Sequence, residues 1–187
     1  QQETAEINYS VLRGEHETSS WDDIVIPPSG LARNNLAPDR VVFVGGIEAP
    51  AFSGTTLEQL SGSFEIPHDY KEGTTLRPHI HWAPSNASAG NVEWQLEYTV
   101  ACVGETFPAS TTIVAINSTG GVDRKHNVVE FETIDGTDIK IGCMIQFRLF
   151  RDDGEGLDTY GSDAFLLSIG VHYEQDSDGS RSTFTKE

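Results

Sequence analysis

Lysine is scarce in this sequence. Only Lys71, Lys125, Lys140 and Lys186 occur, and no run of basic residues forms a patch. Lysine and arginine together number 12 against 29 aspartates and glutamates, a formal net charge of -17. A surface of that sign repels phosphate backbones and anionic headgroups, which argues against nucleic acid and membrane as partners. No apolar run approaches the roughly 18 residues of a membrane helix, and nothing resembles a signal peptide. The expected product is soluble and made in a cytoplasm, and its Gln1-Gln2 start implies an initiator Met or a longer leader before it.

Cysteine is nearly absent. Cys102 and Cys143 are too few for a disulfide framework. Each lies in an apolar, strand-like stretch, so small buried hydrophobes are expected, with a bridge left open if their strands adjoin. Helical periodicity is missing as well, since no window of about 11 residues carries an apolar stripe at helical spacing.

What is present instead has period two. Val92, Trp94, Leu96, Tyr98 and Val100 alternate with Glu93, Gln95, Glu97 and Thr99, and Ile145, Phe147 and Leu149 alternate with Gln146, Arg148 and Phe150. Phe165, Leu167, Ile169, Val171 and Tyr173 repeat the pattern, which is that of half-buried strands. Further strands are predicted at 41–45, 60–66, 76–83, 110–116 and 126–134, separated by turn formers such as Ala89-Gly90-Asn91 and Thr119-Gly120-Gly121. About eight antiparallel strands without helices predict an all-β domain, a jelly roll or β-sandwich, over residues 41–187. A chain of 187 residues suffices for one such core.

Residues 1–40 differ. Trp21, Ile24, Val25 and Ile26 stand among acids and turn formers, and Pro27-Pro28-Ser29-Gly30 follows. Two expectations stand side by side: an extended arm that crosses to a neighbouring subunit, or a strand packed on its own sheet. The arm reading makes Trp21, Ile24, Val25 and Ile26 contact residues and expects 41–187 to fold alone.

The sharpest local signal is Gly73-Thr-Thr-Leu-Arg-Pro-His79-Ile-His81, similar to the opening of the first cupin motif. Strand alternation places Arg77, His79 and His81 on one face. A mononuclear metal site needs a carboxylate or further imidazoles. The cupin glutamate is missing at Ser85 and Asn86, Glu93 lies beyond a turn, and the second cupin motif is absent. His172, and then His68, could add nitrogens, but the expectation is of histidines packed within a sheet, with no metal and no cofactor. The loop Arg151-Asp-Asp-Gly-Glu-Gly-Leu-Asp158 lacks the spacing of a calcium-binding EF-hand, so a solvated loop is expected. No nucleophile elbow or phosphate loop is present, and the chain is not expected to be an enzyme.

The segment Phe64–Arg181 resembles a family of tailed-phage virion proteins. The resemblance rests on Ile66-Pro-His-Asp-Tyr-Lys-Glu-Gly73, Leu76-Arg-Pro-His-Ile-His-Trp82 and Val92-Glu-Trp-Gln-Leu-Glu-Tyr98. Arg148-Leu-Phe-Arg-Asp152, Asp158-Thr-Tyr160 and His172-Tyr-Glu-Gln-Asp-Ser-Asp-Gly-Ser180 complete it. It implies a jelly-roll virion protein, a capsid decoration (cement) subunit on the outer head shell that contacts the major capsid protein and copies of itself, with a homotrimer expected. Arg148 and Arg151 are then candidate contact residues beside the acidic loop. A tail, fibre or baseplate component that binds a receptor or a sugar through the Trp82 and Trp94 region is the alternative, and a cupin-like metalloenzyme the lesser one.

Overall fold

In a computed structural model, residues 15–152 and 156–186 are described, with residues 15–18 described in their backbone alone. Among the described residues, ten strands follow one another: β1 (Glu15–Ile26), β2 (Asp39–Val44), β3 (Ile47–Phe52), β4 (Glu58–Glu65), β5 (Arg77–Pro84), β6 (Asn91–Ala101), β7 (Thr111–Ser118), β8 (Asn127–Glu130), β9 (Met144–Arg151) and β10 (Ala164–Ser177). The helical content among the described residues is one 3-10 turn, Pro28–Gly30. The strands form two antiparallel sheets, one ordered β2-β3-β10-β5-β8 with β1 on β10, the other β4-β9-β6-β7. The protein is thus the all-β sandwich that its period-two patterning predicts.

The alternation decides what lies between the sheets. Ile80 and Trp82 of β5, Trp94 and Leu96 of β6, Ile145 and Leu149 of β9, and Ile169 and Val171 of β10 point into one buried cluster. A register shift between Leu166 and Ser168 brings Leu166 into it and leaves Phe165 and Leu167, expected there, in a separate satellite cluster. Phe52 meets Trp94 edge-on at 5.1 Å between centroids, and Trp82 meets Trp94 at 6.2 Å. Both tryptophans have no exposed surface. The sugar platform expected of Trp82 and Trp94 is therefore corrected: their rings are core, because each shares a strand face with Leu, Ile and Val neighbours.

One strand escaped sequence reading. β3 reads Ile-Glu-Ala-Pro-Ala-Phe, and its alanines and Pro50 mask a strand. It pairs with β2 across Gly45-Gly46, where Gly45 takes a φ of 60° that the turn requires and side chains resist.

Within residues 1–40, β1 lies antiparallel along β10, with Ser20–Ile26 opposite Gln175–Ile169. Since β5 occupies the other edge of β10, β1 and β3 share this edge, β3 at Ala164–Phe165 and β1 beyond it. Ile24, Ile26 and Ala37 pack against the main core and Leu31 is buried in it. Residues 1–14 lie outside the described residues.

The cysteines also depart from expectation. Cys102 follows β6 and Cys143 precedes β9, two strands paired at Ala101 and Met144, and the sulfurs form a disulfide. The unbridged-hydrophobe expectation is corrected by that adjacency, which no sequence periodicity reports. The bridge spans 41 residues, a loop whose chain entropy corresponds to about 4 kcal/mol. Cys102→Ser with Cys143→Ser is expected to lower stability by up to that amount, checked by urea midpoints of the variant and of the oxidised parent.

Candidate functional site

The outer face of the larger sheet gathers polar residues that its inner face excludes. On β5, Pro78, Ile80 and Trp82 face the core, so Arg77, His79 and His81 face outward. On β10, Gly170, His172 and Glu174 share that outer side, and on β1 so do Trp21, Asp23 and Val25, because Ile24 and Ile26 turn inward. Asp23 stands directly opposite His172, and Gly170 directly opposite His79.

The result is a row of imidazoles. His79 stacks on His172 at 4.2 Å between centroids and meets His81 at 5.3 Å; His81 stacks on His126 at 5.0 Å. A hydrogen bond of 2.7 Å joins His81 Nδ1 to His126 Nε2, one ring donating to the other. Four of the six histidines in the chain thus line one sheet face. Burial, followed by the neighbouring His79 and His126 rings, holds the His81 pKa below its ordinary value. His68 lies apart, bonded to Ser180.

Asp23 joins the row at its buried end. One of its carboxylate oxygens lies 3.7 Å from His79 Nε2, and Asp23, His79 and His172 each bring a ligand atom within 4.8 Å of the others. His79 is 1% exposed. Gly170 makes room for it, since a Cβ there would sit 2.3 Å from His79 Nε2. Sequence reading found His79, His81 and His172 but no carboxylate near them. The carboxylate comes from β1, more than 50 residues upstream. Only the Asp23–His172 strand register could have signalled it.

The other expected contact residues separate sharply. Trp21 and Val25 are 51% and 61% exposed, and the Arg77 guanidinium lies 5.0 Å over the Trp21 ring. Ile24 and Ile26 are partly buried against their own core rather than offered to a neighbour. Arg148 lies on the outer face of the smaller sheet, where it pairs with Glu97, bonds Gln59 and covers the Phe150 ring. Hydrogen bonds from Ser110 and then Arg148 hold the Glu97 pKa below the ordinary carboxylate range.

Arg151 has no exposed surface, which corrects its assignment to a contact. Its guanidinium grips Asp158 through two bonds of 2.8 and 2.9 Å and donates to the carbonyls of Phe52, Tyr160 and Ser162. Arg151 continues the core-facing positions Phe147 and Leu149, so it enters the interior and takes Asp158 with it. The Asp158 end of the acidic loop is accordingly buried rather than solvated, its side chain 4% exposed.

Among the described residues, four exposed apolar side chains share one hairpin, while others lie scattered elsewhere, among them Val103, Val114, Ile116, Val122 and Val128. Val41, Val42, Val44 and Ile47, all on the β2–β3 hairpin at the edge of the larger sheet, are 41%, 51%, 51% and 67% exposed. Behind them Phe43 packs edge-on against Phe165 and belongs to a small satellite core with Ala49, Ala51 and Leu167.

No family model matches the chain, and no curated protein matches it in sequence. Among solved structures, it is similar to the CBM35 from Cellvibrio japonicus Abf62, with a TM-score of 0.46 and 12% identity over 83% of this chain and 99% of that one. The CBM2 module of the Lactobacillus casei BL23 phage J-1 evolved Dit gives 0.37 and 9% over 84% and 97%. A chain of infectious bursal disease virus Gx strain gives 0.35 and 12% over 84% of this chain but only 37% of that one. Scores and identities this low carry no argument about function. The architecture itself rests on the strands described above: two antiparallel sheets closed over one apolar core.

Proposed function

We propose that this chain is a structural protein of a tailed-phage virion, a decoration subunit that binds the outer surface of the head shell. The observation that carries the reading is the β2–β3 hairpin. Exposed apolar side chains scattered singly are ordinary, but four on one hairpin at a sheet edge mark an interaction surface. β2 is also an edge strand, and an exposed apolar edge invites uncontrolled pairing unless a partner covers it. Elsewhere the net charge of -17 keeps the surface soluble and away from packaged DNA. The Cys102–Cys143 bridge is compatible with a virion surface, where disulfides persist.

Attachment through apolar contact makes a specific claim about salt. Between like-charged partners, raising the ionic strength screens repulsion, with a Debye length of about 10 Å at 0.1 M. Retention on particles is therefore expected to hold or strengthen from low to moderate salt. Val42→Asp with Ile47→Asp should leave a folded protein that no longer sediments with particles. Release of the parent as salt rises, or undiminished retention of the variant, would falsify the reading. Electron microscopy of particles places the subunit on head or tail.

A second reading has one observation in its favour. A groove of about 360 Å³ on the outer face of the smaller sheet brings Ser61, Glu97, Ser110, Gln146 and Arg148 together. Paired carboxylate, guanidinium, amide and hydroxyl groups suit the hydroxyls of a sugar. Calorimetry against host-surface glycans, with Arg148→Ala as the control, separates a receptor-binding tail component from a decoration subunit.

A further inference from the structure

We propose that Asp23, His79 and His172 bind one divalent cation of the zinc class, pinning β1 to the two strands beside it. The proposal is independent of the virion reading. It also revises the expectation of histidines that merely pack, because the carboxylate that was missing from the sequence motif is supplied by β1.

Three features of the cluster point to a ligand. First, its polar groups are buried and incompletely used: Asp23 Oδ1 has no hydrogen-bond partner, and the 1% exposed His79 faces that carboxylate through Nε2. Burying such atoms unpaired costs on the order of 1–3 kcal/mol each, and natural interiors seldom tolerate it. Second, the Asp23–His79 distance of 3.7 Å is too long for a hydrogen bond. It is close to the separation of two ligands on one tetrahedral ion, about 3.3 Å when each bond is about 2.0 Å. Third, the missing side chain at Gly170 is what lets His79 Nε2 and Asp23 Oδ1 lie together against β10, since a Cβ there would sit 2.3 Å from the first and 3.0 Å from the second.

The donor set names the class of ion. Two imidazoles and one carboxylate suit zinc, cobalt or nickel rather than calcium or magnesium, which prefer all-oxygen shells. Three protein ligands leave a fourth position, and the half-buried His172 opens it toward solvent. The net charge of -17 on the chain as a whole raises the concentration of cations around the protein. Because the ligands come from β1, β5 and β10, an ion here ties the N-terminal strand to the sheet through side chains as well as through its backbone ladder.

Tag-free full-length protein, dialysed against Zn2+, is expected to retain one equivalent, and Co2+ to give visible absorption bands of a site with nitrogen and oxygen ligands. At a hundredfold excess over Kd, the ion should raise Tm by about 5–10 °C. Asp23→Asn and His172→Ala, each shown to be folded by circular dichroism, should weaken binding by at least the roughly tenfold that loss of even an outer-shell partner costs. His126→Ala, at the far end of the histidine row, should bind as the parent does. The proposal is overturned if the parent holds no stoichiometric ion, if either folded ligand variant binds as tightly as the parent, or if His126→Ala abolishes binding.

Discussion

Replacing Arg151 by alanine is expected to cost the fold about 3–5 kcal/mol, a large part of the roughly 5–15 kcal/mol that holds a domain together. The guanidinium is wholly buried and its partner Asp158 nearly so. Truncation therefore leaves an uncompensated carboxylate inside the protein and removes the donors to the Phe52, Tyr160 and Ser162 carbonyls. Asp158 also accepts from the backbone N–H groups of Glu93 and Tyr160, so its loss loosens the start of β6 as well. The pair acts as a unit. Asp158→Asn combined with Arg151→Ala should cost clearly less than the sum of the two single changes, because the stranded charge is gone. Urea denaturation of the four proteins of this cycle measures the coupling. Strict additivity, or an Arg151→Ala change within about 0.5 kcal/mol of the parent, would show that the network does not hold the loop to the core.

Deleting residues 1–36 is expected to have an effect at least as large, and it separates the two readings of the N-terminal segment. The deletion strips the Ile169–Ser177 edge of β10 of its antiparallel partner. It also removes Leu31 from the core, together with the packing of Ile24 and Ile26 on it. Emptying one buried leucine site alone costs about 2–5 kcal/mol. The bridge from Ala32 to Ser61 and the bond from Gln59 N–H to the Leu36 carbonyl are lost too, so β4 is left with one uncovered edge. The truncated chain is expected to be unfolded or aggregated at 25 °C, with newly exposed strand edges available for pairing. A soluble, cooperatively melting product would instead support an arm whose work is done on a neighbouring subunit.

The same local arithmetic explains which residues sequence reading placed well. Trp94, Leu96, Ile145 and Val171 lie where alternation puts them, because a strand has only two faces and one of them must be dry. β3 is illegible in the local sequence, since alanine and proline carry no strand signal, although a partner on each side makes Ile47–Phe52 a strand. Arg151 departs from expectation for a related reason. Its position is core-facing by alternation, but charge normally overrides position, and only the presence of Asp158, Phe52 and Ser162 around it makes a buried guanidinium tolerable.

By itself, then, the sequence determined the class of fold, the acidic surface and the shared face of Arg77, His79 and His81, all consequences of composition and of a two-residue period. Tertiary structure alone decided three pairings between distant segments. Cys102 met Cys143, Arg151 met Asp158 in the interior, and Asp23 came to lie beside His79 and His172. Each depends on which strands become neighbours and in what register. Those choices are made by the burial of all ten strands together, so no local pattern within any one of them carries the information.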